Sequence, residues 1–256
     1  MNTPNISRRT LLTRAAVITG TALAMSLPAS QALARPAYEG PGTYTVPPEV
    51  RAAVRRAQER NKRVLTGIPS KNGWEMENVA DDGGSIHTRP VPGTPFAGVA
   101  VRMGEVEAVL VHVVRRFHYE IDALHQGEVV GWRKPGKVRK GLPEGNQASG
   151  TAVQIRPGHY PPGVRGGFFP HEEIVVRDIL AELEGVVRWG GDDRKPDESL
   201  FYVDVKPGDQ RLKQVAAKLW GWRDEPGAGA GTAVDVLAGE RRGEARKLAM
   251  SQQAGV

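Results

Sequence analysis

The sequence predicts an α+β fold, a single domain in which helices pack on a small, mainly antiparallel sheet. Three segments, Glu105–Leu124, His171–Glu184 and Gln210–Trp220, carry apolar residues at three-to-four spacing. Short alternating stretches lie between them, without the regular strand–helix alternation of a parallel sheet. The region 66–104 is crowded with turn residues, among them Asn72-Gly73, Asp82-Gly83-Gly84 and Pro92-Gly93, and leaves room only for short strands. A chain of 256 residues, 39% hydrophobic and 25% charged, can bury a core of its own. It has no cysteine, which excludes disulfides, thiol chemistry and any zinc site built on sulfur.

The N-terminus reads as an export signal. Ser7-Arg8-Arg9-Thr10-Leu11-Leu12 precedes an apolar run over 15–27, and Ala32-Leu33-Ala34 supplies the small residues of a cleavage site. The paired Arg8 and Arg9 point to the twin-arginine route, with cleavage expected after Ala34 and an extracellular or cell-wall destination. Removal of this segment lowers the basic count from 35 to 32 against 29 acids, and the net charge from +6 to +3. Half of the apparent basicity thus belongs to the signal, which argues against a nucleic-acid partner. No membrane span is expected after cleavage.

The organisation expected is a signal over 1–34, a linker and short helix over 35–64, the folded domain over 65–225 and a Gly/Ala-rich, charged tail over 226–256. Pro48–Lys62 places Val50, Val54 and Ala57 on one helical stripe. Glu105–Leu124 is the strongest helix, with Val106, Leu110, Val113, Phe117, Ile121 and Leu124 on its stripe and acids in its first turn. Loop follows over 127–150, with a short strand at Glu128–Arg133. Thr151–Arg156 alternates like a strand, and 157–170 is loop. His171–Glu184 is helical through Ile174, Ile179, Leu180 and Leu183, with Gly185 as its stop. Val186–Trp189 and Leu200–Val205 read as strands. Gln210–Trp220 is a helix through Leu212, Val215 and Leu219. The tail is expected to be loose, with a transient helix.

Two segments concentrate the candidate chemistry: Gly145-Asn146-Gln147-Ala148-Ser149-Gly150-Thr151-Ala152-Val153-Gln154-Ile155, and Trp189-Gly190-Gly191-Asp192-Asp193 followed by Asp197-Glu198-Ser199-Leu200-Phe201-Tyr202-Val203-Asp204. In this order they resemble the zinc D-alanyl-D-alanine carboxypeptidase family, with its hedgehog/DD-peptidase fold. The resemblance runs from about Asn72 to Trp222 and includes Asn72-Gly73-Trp74, Pro92-Gly93-Thr94 and Gly131-Trp132-Arg133. That family carries S-x-H-x-x-G-x-A-x-D, whose His and Asp bind zinc. Downstream it has W-G-G-D and an acid three residues before a second ligand His.

Carried over residue by residue, the resemblance places Gln147, Gln154 and Leu200 at the three zinc-ligand positions. Gly145 stands at the motif Ser, while Asn146, Ala148, Ser149, Gly150, Thr151 and Ala152 keep the framework. Zinc requires imidazole nitrogen and anionic carboxylate at about 2.0–2.2 Å. A Gln amide is neutral and Leu has no lone pair, so no metal and no cofactor is expected where the family would use zinc. Such replacements leave the pocket neutral, and Gln147 and Gln154 are expected to hydrogen-bond each other across it. Asp197 stands at the family's general-base position, now vestigial. Arg133 matches an arginine that contacts the peptide substrate. Ser149, Trp189 and Tyr202 are further candidate contacts, Tyr202 on the same strand face as Leu200 and Asp204.

His87, His112, His118, His125, His159 and His171 show no metal-binding spacing, although His118 and His125 are placed to share a helix face. Gly166-Gly167 and Gly190-Gly191 lack the context of a phosphate loop. Three functions follow as expectations. The first is an exported, non-catalytic domain that binds peptidoglycan stem peptide or a cell-wall polymer or protein. The second is an active cell-wall peptidase with a relocated site among Asp192, Asp193, Asp197 and Asp204. The third is a purely structural interaction domain whose cleft is filled by Gln147, Gln154, Leu200 and Tyr202.

Overall fold

The computed structural model describes residues 46–139, 141–225 and 227–254. The expected signal and most of the linker lie outside the described residues. The chain divides into two units, 1–55 and 56–256, and the second is the α+β domain described below.

A helix, α1, spans Pro48–Val64. It leads into strand β1 (Leu65–Pro69), which pairs antiparallel with β2 (Glu75–Glu77). A second hairpin joins β3 (Ile86–Arg89) to β4 (Val99–Arg102). The central helix α2 (Glu105–Glu120) follows Gly104, whose φ of +91° suits the turn before it; Glu105 and Glu107 complement the helix dipole. Its apolar residues recur so densely that Val106, Val109, Leu110, Val113, Val114 and Phe117 are all buried.

The main sheet is four-stranded and antiparallel, in the order β5 (Val129–Val130), β6 (Ala152–Ile155), β8 (Leu200–Val203) and β7 (Val187–Trp189). Helices α2 and α3 (Pro170–Glu182) pack against strands of this sheet, and α4 (Gln210–Asp224) packs against α2. Each helix is stopped or started by local chemistry. Phe169 N–H donates to Glu172 at the start of α3, Glu184 and Gly185 adopt positive φ after it, and Asp209 caps α4 by accepting from Arg211 N–H at 2.8 Å. The motif Asn72-Gly73-Trp74 is structural: the Asn72 amide donates to Val203 O and Thr151 Oγ1, and the Trp74 indole to Val205 O, each at 2.8 Å.

Two expectations are corrected. The helix through Glu105 ends at Glu120, so His125 lies outside it and shares no helix face with His118. The segment after residue 226 is not a loose tail throughout: Gly239–Gln253 forms a fifth helix, α5, packed on α3. Only Ala245 and Gln252 of α5 are buried, so no apolar stripe announced its docking. Polar pins hold it instead. Arg241 forks onto Asp178 at 2.8 and 2.7 Å, Gln252 Nε2 donates to Val187 O at 3.1 Å, and Leu248 covers the open face of Gly185.

Candidate functional site

Strand register assigns the two faces of the sheet. Val153, Phe201 and Trp189 form one cross-strand row, buried against the helices. Ala152, Tyr202 and Arg188 form the neighbouring row and point to the other face, because side chains alternate along each strand. On that second face Gln154 stands directly opposite Leu200 on one side and Val130 on the other. The turn Pro143–Ser149 delivers Gln147 to the same place. It is closed by Gly150 at φ +67°, and Gln147 Nε2 donates to the carbonyls of Val130 (3.1 Å) and Gly131 (2.9 Å). Gln147, Gln154 and Leu200, the positions that the resemblance aligns with zinc ligands, therefore lie on or beside one row of the sheet.

Asp197 joins them. Its Oδ2 accepts from Gln154 Nε2 at 2.9 Å and its Oδ1 from Ser199 Oγ at 2.5 Å, and it is buried with no ion-pair partner among the described residues. The two glutamines do not bond each other, contrary to expectation. Each amide nitrogen is committed elsewhere, and both Oε1 atoms are buried without a hydrogen-bond partner among the described residues. These donors do not suit zinc. Two neutral carboxamide oxygens, a leucine and one carboxylate offer neither the imidazole nitrogen nor the second anion such a site needs.

Beside this row opens a cleft of about 710 Å³, lined by Tyr202, Arg188, Asp193 and Asp204 together with Lys71, Arg194 and Lys195. An adjoining cavity of about 310 Å³ reaches Asp197 and Leu200, and shares Leu142, Pro143, Asp193, Arg194 and Lys195 with it. Tyr202 Oη donates to Asp193 Oδ1 at 2.9 Å. Burial pushes the Asp193 carboxyl up despite that bond, and burial likewise raises Asp204 against the pull of Arg188. The Tyr202 phenol is pushed well above its ordinary range by burial and by the Asp193 charge. Lys71, Arg194 and Lys195 belong to no ion pair among the described residues.

Of the candidate contacts, Tyr202 lines the cleft and Asp197 lines its extension. Two others lie away from it. Ser149 is fully buried, accepts from Ser70 Oγ at 2.8 Å and donates within its own turn to Asn146 O at 2.9 Å. Trp189 faces the core, packs edge-on against Phe168, and donates its indole N–H to Glu198 O at 2.7 Å. Arg133 is partly exposed after β5 and lines neither cavity. Its neighbour Gly131 lies against the Ala100 carbonyl, which a side chain would strike. Asp192 is turned away to Arg177 and Gln253.

The residue that sequence reading missed is Arg188. Its signal was present in the alternation of Val187-Arg188-Trp189: if Trp189 faces the core, Arg188 must face the other way. Among the described residues no group of three or more His, Asp or Glu side chains is placed to hold a metal ion, and no helix is long and apolar enough to cross a membrane. No family model, no curated protein and no solved structure matches this chain.

Proposed function

We propose that this chain is an exported, non-catalytic DD-peptidase-like domain that binds a cell-wall stem peptide in the cleft beside its former metal position. One observation carries the reading. The residues that stand where the family binds zinc converge on one row of the sheet, next to an open cleft, yet present the wrong donors for the metal. A framework kept while the ligands are replaced fits retained binding with lost hydrolysis. The presence of both cations and acids in the cleft suits a peptide carrying charges of both signs. The wholly structural alternative fits less well: Gln147, Gln154, Leu200 and Tyr202 are buried, but a cleft stays open beside them.

The test is metal content and muropeptide binding on the chain purified from Arg35. After incubation with zinc and desalting, elemental mass spectrometry is expected to find no retained zinc. A muropeptide carrying a complete stem is expected to bind saturably with no release of D-alanine. About one zinc per chain, D-alanine release, or no binding would each overturn the reading.

A further inference from the structure

We propose that Arg188 is the carboxylate-binding fork of the cleft, braced by the C-terminal end of α5. The proposal rests on the reading above only for the source of the carboxylate, the free end of a peptide.

Four observations carry it. Arg188 is the cross-strand partner of Tyr202 on the cleft face, so the strand and not a loop sets its direction. Its Nη2 donates to Gln252 O at 2.7 Å, which fixes one corner of the guanidinium to the last turn of α5 and exploits the negative end of that helix. Its remaining donors are poorly used. Nη1 reaches Asp204 Oδ2 only at 3.5 Å, and Nε is buried with no acceptor. The cations around it, Lys71, Arg194 and Lys195, are themselves unpaired, so the cleft holds four cations against Asp193 and Asp204.

A planar guanidinium offers two two-nitrogen edges, Nε/Nη2 and Nη1/Nη2; with Nε enclosed, the Nη1/Nη2 edge, which carries only the long Asp204 contact beside the Gln252 bond, is the one arranged to take a carboxylate through two hydrogen bonds. The present partner of Nη1, Asp204, is 43% exposed at its side chain. Burial already disfavours its charged form. An incoming carboxylate would replace the long Nη1 contact to Asp204 with a short charge-assisted one and take the second N–H of Nη2. Bracing by Gln252 lowers the ordering needed at the moment of binding. Arg133, the arginine singled out from the family resemblance, has no comparable position.

The experiment follows the Nε–H signals of the arginines by NMR while the intact mature chain is titrated with sodium acetate at constant ionic strength. Saturable movement of the Arg188 signal, lost in Arg188→Lys, is expected. That variant keeps the charge and loses the fork, and its melting curve reports folding. In parallel, one stem peptide is titrated as free acid and as C-terminal amide. Wild type is expected to prefer the acid by roughly tenfold, as a charge-assisted pair commands, and Arg188→Lys to lose the preference.

No acetate effect at Arg188, or loss of the preference in Arg133→Ala but not in Arg188→Lys, would overturn the proposal. A response to inorganic phosphate without one to acetate would overturn the carboxylate assignment. Acetate binding at Arg188 with no binding of either peptide would support the fork and overturn the stem-peptide reading, so the two failures are distinct.

Discussion

Replacing Glu182 by Gln should reveal how the buried charges under α5 stabilise the fold. Glu182 Oε2 accepts from His112 Nε2 at 2.6 Å and Arg116 Nη1 at 3.1 Å, and Oε1 accepts from Arg241 Nη2 at 3.2 Å. Arg116 is itself almost fully buried and also holds Asp178 and Glu120. Burial alone would raise the Glu182 carboxyl, but the donors prevail and hold it at about 2, against 4.5 for an ordinary glutamate. That difference corresponds to about 3 kcal/mol favouring the folded, ionised state. Because the folded value is depressed, this stability is fully present above the unfolded value of 4.5 and is lost as pH falls toward 2.

Glu182→Gln keeps the volume and removes the titration. The variant should be about 3 kcal/mol less stable at neutral pH, with the gap closing as pH falls from about 4.5 toward about 2. Urea unfolding followed by tryptophan fluorescence across that range measures it. A gap that stayed constant with pH, or no gap at neutral pH, would refute the argument that these donors hold the charge.

Further outcomes follow from the site and its frame. The triple change Gln147→His, Gln154→Asp and Leu200→His should create stoichiometric zinc binding and a melting temperature that rises with zinc. Absence of both by elemental analysis and calorimetry would reject the assignment of these positions. Tyr202→Phe removes the donor to buried Asp193 and should destabilise by about 1–3 kcal/mol at neutral pH, read from the denaturant midpoint; no change would mean that water replaces the hydroxyl freely. Gly150→Ala should cost at least about 2 kcal/mol by the same assay. Its φ is +67°, and a Cβ there would lie 2.8 Å from Arg102 N and 2.9 Å from Ile86 Cγ1.

Much of the fold was legible because it is written in local periodicity. The spacing of Val106, Leu110, Val113 and Phe117 specifies a helix with a wide apolar face, and α2 is the buried centre of the helical layer. Alternation marked β6, and the stretches Val186–Trp189 and Leu200–Val205 matched β7 and β8 to within two residues. Gln147, Gln154 and Leu200, which the family resemblance singles out, are brought close by strand pairing and by the bond from Gln147 to Val130 O. The weaker readings came from segments without a period. In α5 only Ala245 and Gln252 are buried, and its anchor, Arg241, meets Asp178 across 63 residues of chain.

The sequence by itself determined the α+β class, the principal elements and the lack of cysteine chemistry. Each depends on residue type or on spacing along the chain. Tertiary structure alone decided that Ser149 and Trp189 serve the interior, that Arg188 and not Arg133 reaches the cleft, and that α5 closes on α3. A strand offers two faces of equal period, and only its neighbours choose which one is buried. A charged side chain likewise has no assigned partner until packing brings a distant carboxylate within hydrogen-bond reach and excludes water from the pair.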